Sequence, residues 1–276
     1  MRINKENSTP YEINEFHEII KWKEEEPSVI KEVVDIALKP ATWMINKIVP
    51  AKAIQGALTA SDYLASALTD SKDIKRDGNV EDIKELRHKD LELSDRLANS
   101  VHNWANSIAA LEGGVTGTAG LPGMAIDIPA LITMGLRVIH KIGLCYGYEC
   151  KTEQDKQFIY GIISAAGANT VEEKTISIAT LQTMNVIIAK TTWKKIAEKA
   201  AQDRVSTEAA IIAIKQLAKQ LGINLTKRKA LQAIPVVGGL VGASMNLSYI
   251  NDIAWAARRS FQERWLMEND KIHIML

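Results

Sequence analysis

Residues 112–148 read E-G-G-V-T-G-T-A-G-L-P-G-M-A-I-D-I-P-A-L-I-T-M-G-L-R-V-I-H-K-I-G-L-C-Y-G-Y, and residues 233–246 read A-I-P-V-V-G-G-L-V-G-A-S-M-N. Both stretches are nearly free of charge, crowded with glycine, and continue into a segment that carries basic and aromatic residues. Glycine at this density is too costly for an isolated helix, so tertiary contacts must hold the backbone in place. Gly113/Gly117, Gly143/Gly147 and Gly238/Gly242 repeat a small-xxx-small spacing that lets helices approach closely. Gly120, Pro122, Gly123, Pro129 and Pro235 punctuate the same stretches. The reading is of two glycine-rich helical hairpins packed in the core of one compact protein.

The rest of the chain supports an all-α fold. Spacings of three and four between apolar residues recur from end to end, and no segment alternates with period two. Ile13, Phe16 and Ile20 make a stripe that ends at Pro27, and Ile30, Val33, Val34, Ala37 and Leu38 make the next, with Pro40 and Pro50 punctuating the segment that carries Trp43, Met44 and Ile48. The Ala-rich segment 51–68 reads as a closely packing helix. Residues 69–79, with clustered Asp and Lys and an Asp77-Gly78 step, read as a surface loop. Helices are expected again over 80–111, from Asp127-Ile128-Pro129 to Gly147 with Asp127 as the cap, over 157–168 and 172–199, and over 207–221 before Gly222. The expected organisation is N-terminal amphipathic helices and a charged loop in 1–79, a helical domain in 80–268 and a tail in 269–276.

Composition bounds the function. The 276 residues are 46% hydrophobic and 24% charged, with aromatics at 5% and a formal net charge of +1. Such a balance gives no general attraction for nucleic acid. Cys145 and Cys150 have no Cys or His partner motif, so neither a disulfide framework nor a metal site is indicated. The first ten residues are polar, unlike a secretory signal, and a cytoplasmic location is expected. The run 230–251 is long enough to cross a bilayer, yet it holds Gln232, Pro235, Asn246, Asn251 and three glycines, and a buried helical hairpin is the expected reading.

Candidate chemistry is sparse. The glycine stretches lack the Lys and the preceding strand of a phosphate loop or dinucleotide fingerprint, so no cofactor is implied. Glu112 and Asp127 flank fourteen uncharged residues; folding that run back would pair two carboxylates, which with His140 could support metal-dependent hydrolysis. The alternatives are a helix cap for Asp127 and a solvated helix end for Glu112. Arg137, His140 and Lys141 form a basic strip one helical turn long. Trp255, Arg258, Arg259, Arg264 and Trp265 mix cations and indoles on the last helix, a composition that suits either a lipid headgroup region or ordinary cation–π packing.

These residues also carry a resemblance. Glu112-Gly113-Gly114, Gly120-Leu121-Pro122-Gly123, Asp127-Ile128-Pro129, Arg137, Tyr146-Gly147-Tyr148, Ile234-Pro235-Val236-Val237-Gly238-Gly239, Asn246 and the region 256–264 resemble, in order and spacing, the EcsC family. The resemblance implies an all-helical bacterial protein, some members of which are encoded beside ABC exporters. A membrane surface or a membrane protein such as an ABC exporter is therefore the expected partner, with Arg137, Lys141, Arg258, Arg259 and Arg264 on anionic headgroups and Trp255 and Trp265 inserted shallowly.

Overall fold

A computed structural model of the chain describes residues 1–27, 56, 58, 70–116, 120–197, 220–221, 223–225 and 235–273, with backbone alone at 111–116, 120–127, 153, 186–187, 189–197 and 235–245. The helices expected over 30–50, 51–68 and 207–221 lie almost entirely outside the described residues. Helices α1 (Pro10–Glu24), α2 (Lys72–Gly78), α3 (Leu91–Thr116), α4 (Gly120–Cys145), α5 (Glu153–Gly167), α6 (Val171–Ala197) and α7 (Pro235–Glu268) make an all-α fold, with 3-10 turns at Lys5–Asn7 and Ile83–His88. Among the described residues one pair of short strands joins the two ends of the sequence: β1 (Arg2–Ile3) pairs antiparallel with β2 (Ile272–His273). The segment read as a tail thus contributes a strand, because Ile272 is buried beside Ile3.

Capping sets the helix ends. Thr9 with Glu12, and Thr152 with Asp155, close reciprocal capping boxes at the starts of α1 and α5. Helix α4 ends in the Tyr146-Gly147-Tyr148 motif: Tyr148 N donates to Gly143 O at 2.8 Å and Gly147 N to Leu144 O at 3.0 Å. Gly147 has φ +86°, and a Cβ there would stand 2.7 Å from the Arg87 backbone nitrogen. This C-cap therefore requires glycine.

Two expectations are corrected. Residues 72–78 are helix, not loop, because Ile74 is 3% exposed and Asn79, at φ 50°, supplies the left-handed stop. Asp127-Ile128-Pro129 is not a helix start: α4 runs through Pro129 from Gly120. Ile128, Ile132, Leu136 and Ile139 form one fully buried stripe, and burying that stripe outweighs the cost of a proline inside the helix.

Helix α7, 34 residues long, is the axis of the bundle and packs against α3, α4, α5 and α1. Phe16, Ile19 and Ile74, all before residue 80, share one core with residues from α3, α4, α5 and α7. Ile253 packs over Gly135 and Phe261 over Gly143, so α4 and α7 run parallel with a constant offset of 118 residues. Asp95 meets Gln262, Asn99 meets Arg258 and Asn106 meets Asn251, so α3 runs antiparallel to α7. Extending both registers sets Gly120 level with Gly238 and brings the end of α3 to the same place. The helices that carry the two glycine-rich stretches therefore pack together; residues 117–119 and 226–234 lie outside the described residues.

Candidate functional site

This register divides the bundle by charge. From Pro235 to Asn251 α7 has no charged residue, a length of about 24 Å at 1.5 Å per residue. Beside it, α4 from Gly120 to Leu136 carries Asp127 alone, and α3 from Leu97 to Thr116 carries Glu112 and the histidine His102. Beyond Asn251 the same helix becomes heavily charged. The charge-poor end holds Gly113, Gly120, Pro122, Gly123, Pro235, Gly238 and Gly242, while Gly117 falls outside the described residues.

The opposite end is a buried polar core. Arg264 Nη1 donates to Asp155 Oδ1 at 2.9 Å and Arg264 Nε to Glu268 Oε1 at 3.1 Å, with the guanidinium 4.1 Å from the Tyr148 ring centre. Arg259 Nη1 donates to Glu15 Oε2 at 2.6 Å and to Gln262 Oε1 at 2.9 Å. Arg258 Nη1 donates to Asn99 Oδ1 at 3.1 Å and lies over the Trp255 ring at 4.6 Å. Lys23 pairs with Glu263 at 2.7 Å. Asp95 accepts from the Tyr146 hydroxyl, from Tyr11 Oη at 2.9 Å and from Gln262 Nε2 at 2.7 Å.

Electrostatics follow burial. Burial raises the Asp95 carboxyl above the ordinary carboxylate range, against the three donors that favour its ionised form. Burial would also raise Asp155, but the charge and hydrogen bond of Arg264, with the Thr152 donors, reverse the effect and hold it low. Burial pushes the Tyr146 and Tyr148 hydroxyls well up.

The expected headgroup contacts are corrected by this arrangement. Arg258, Arg259 and Arg264 are 9%, 7% and 6% exposed and Trp265 is 3% exposed, with its Nε1 donating to Leu86 O. Cations so placed take partners from neighbouring helices, because an unpaired buried charge is prohibitive. Trp255 packs edge-on against His102 at 5.2 Å. Arg137 and Lys141 do share a face, both over Trp104 at 5.2 and 5.7 Å, and Lys141 pairs with Asp73 at 2.7 Å.

His140 stands apart from the expected partners Glu112 and Asp127. Asp127 and His140 are thirteen residues apart on the continuous helix α4, about 20 Å along its axis. The side chains of Glu112 and Asp127 lie outside the described residues. His140 is buried beside a recess of about 200 Å³ shared with Lys75, Asp82, Glu149 and Lys151. Among the described residues no group of three His, Cys, Asp or Glu is placed to hold a metal ion.

A larger cavity, about 350 Å³, opens where the charge-poor end meets the polar core. The ends of α1 and α5, the start of α6 and the middle of α7 enclose it. Trp22 and Trp255 form part of its wall, with Glu18, Asp252, Lys174 and Arg259. Lys174 Nζ donates to Trp22 O at 2.5 Å and Glu25 O at 2.6 Å, tying the end of α1 to α6, and burial lowers its pKa. Sequence reasoning missed Asp95, Glu15, Asp155, Trp22 and Lys174. The one local signal was the Thr152-x-x-Asp155 capping box; the others become partners only in three dimensions.

Comparison with known proteins places this geometry. The model of the EcsC protein family matches residues 13–266. Uncharacterized protein YdbA of Bacillus subtilis (strain 168) is 25% identical over 191 residues, which are 69% of this chain and 65% of that protein's length. The chain thus spans slightly less than two thirds of that relative. No solved structure matches. With a family match over nearly its whole length, the chain belongs to the EcsC protein family.

Proposed function

We propose that this protein attaches to the cytoplasmic face of a membrane by inserting the charge-poor end of its bundle into lipid, leaving the polar core in water. The observation that carries the reading is the register: three helices bring their charge-poor segments to one end, over about 24 Å of α7, with Glu112 and Asp127 as the two charges at that level. That length exceeds one leaflet of a hydrocarbon core about 30 Å thick. The most apolar window of α4, Ile128–Cys145, lies level with residues 246–263 of α7 and is 61% buried, so it serves the core, and the inserting part of α4 is the segment before it. The arginines act inside the fold, so apolar insertion rather than attraction to anionic headgroups supplies the binding.

Flotation with protein-free vesicles tests this. The wild-type chain is expected to float at low and at high salt, because screening weakens surface charge attraction and not apolar insertion. A Leu121→Asp/Leu240→Asp variant is expected to remain unbound, since each Asp costs about 3 kcal/mol in a membrane interior. Wild-type protein that ignores such vesicles, or binds only membranes containing a protein such as an ABC exporter, overturns the lipid reading.

A further inference from the structure

We propose that the cavity between Trp22 and Trp255 binds an organic ammonium group. The inference rests in part on the membrane reading, because Asn251 and Asp252, where charge begins on α7, line this cavity and would set it at headgroup depth. Trp22 and Trp255 belong at that depth, where indole rings favour the interface.

Charge chooses the ligand. Glu18, Glu25, Glu26 and Asp252 contribute four carboxylates to the wall, against the two cations Lys174 and Arg259. Lys174 Nζ is held by the carbonyls of Trp22 and Glu25, and Arg259 by Glu15, Gln262 and Glu18, and the four carboxylates outnumber the two cations by two. The space is therefore negative as a ligand meets it.

The chain supplies its own precedent for the chemistry. The Lys174 ammonium sits 5.3 Å from the Trp22 ring centre with backbone carbonyls as acceptors. Arg259 lies 5.1 Å from the Trp255 ring centre. Indole faces and oxygen acceptors are the means by which proteins hold ammonium groups. A volume of about 350 Å³ has ample room for an ethanolamine or choline group. A free phosphate or a purely anionic headgroup meets the wrong sign.

The test titrates ethanolamine hydrochloride and choline chloride, against sodium chloride at matched ionic strength, into 15N-labelled full-length protein while the indole N–H resonances are followed. Saturable shifts are expected at Trp22 and Trp255, identified by Trp22→Phe and Trp255→Phe, and sodium phosphate is expected to give none. Glu18→Gln/Asp252→Asn should weaken binding about tenfold. If that pair unfolds in a thermal melt, Glu18→Gln alone serves, as its side chain is 40% exposed. Absence of saturable shifts in the wild type, or equal affinity in the variant, overturns the proposal.

Vesicles separate the source of the ammonium. Tighter binding to phosphatidylethanolamine than to phosphatidylglycerol assigns the site to a lipid headgroup, and equal binding to both, with free amine still bound, assigns it to a soluble amine. The two readings fail separately, because the Leu121→Asp/Leu240→Asp variant should lose flotation and keep the indole shifts.

Discussion

Gly143 lies against the ring of Phe261: a Cβ built on this glycine would stand 2.8 Å from Phe261 Cζ. Phe261 is 0% exposed and packs with Tyr146, Tyr148 and Phe158, so it has nowhere to retreat. The contact fixes the parallel register of α4 and α7. Gly143→Ala should therefore destabilise the fold by about 1–3 kcal/mol, the usual cost of overpacking. Pairing it with Phe261→Leu should recover part of that loss in urea unfolding; full additivity of the two changes would show that they do not share this contact.

Arg264 and Asp155 form a pair that is 6% and 8% exposed and joins the last helix to the capping box of α5. Arg264→Met should cost about 3–5 kcal/mol, because Asp155 would remain charged and buried without its partner. The Asp155 pKa is depressed in the fold, so its contribution is complete above the ordinary carboxylate value and disappears as pH falls through the lowered one. Thermal melts in acid should show this limb in the wild type and lose it in the variant.

Asp95 titrates with the opposite sign. Burial raises its pKa, so the fold binds this proton more tightly than the unfolded chain, and stability from it falls as pH rises through the raised value. Melts of Asp95→Asn, which carries no proton in this range, should lack that decline. The same decline in both proteins would show that another group is responsible.

The three- and four-residue spacing of apolar residues made the helical class legible, and the Tyr146-Gly147-Tyr148 cap agrees with the expected end of α4 at Gly147. Asp127-Ile128-Pro129 misled, because local cap chemistry was outweighed by a buried stripe along the same helix. The arginines misled for a different reason. A basic and aromatic helix has one composition whether it faces lipid or core, and Glu15, Asp95 and Asp155, which decide the matter, come from three other helices. The charge-poor segments were plain in the sequence, but their meeting at one end depends on the Gly135–Ile253 and Gly143–Phe261 register.

Charge reversal of Arg258 and Arg259 should accordingly lower the thermal midpoint sharply rather than selectively remove membrane binding. Each guanidinium is buried against acceptors, and a carboxylate in its place would face Asn99, Glu15 and Gln262. Flotation at a temperature where Arg258→Glu/Arg259→Glu remains folded should match the wild type.

Lys174→Met should free the end of α1. Two hydrogen bonds from one ammonium hold the carbonyls of Trp22 and Glu25, and losing them should cost about 1–3 kcal/mol locally. Hydrogen exchange at the last turn of α1 should quicken while that at Ile253 and Phe261 is unchanged.

The central claim is tested most directly by depth. Burial pushes the Cys145 thiol up and Cys150 is also buried, so an environment-sensitive fluorophore can be directed to an introduced cysteine. One is Val237→Cys at the charge-poor end, and the other is His88→Cys, exposed at the opposite end. With vesicles, the label at 237 should shift to shorter wavelength and be quenched by lipid-borne quenchers, while the label at 88 stays unchanged. Equal response at both positions, or a response at 88 alone, would contradict insertion by the charge-poor end.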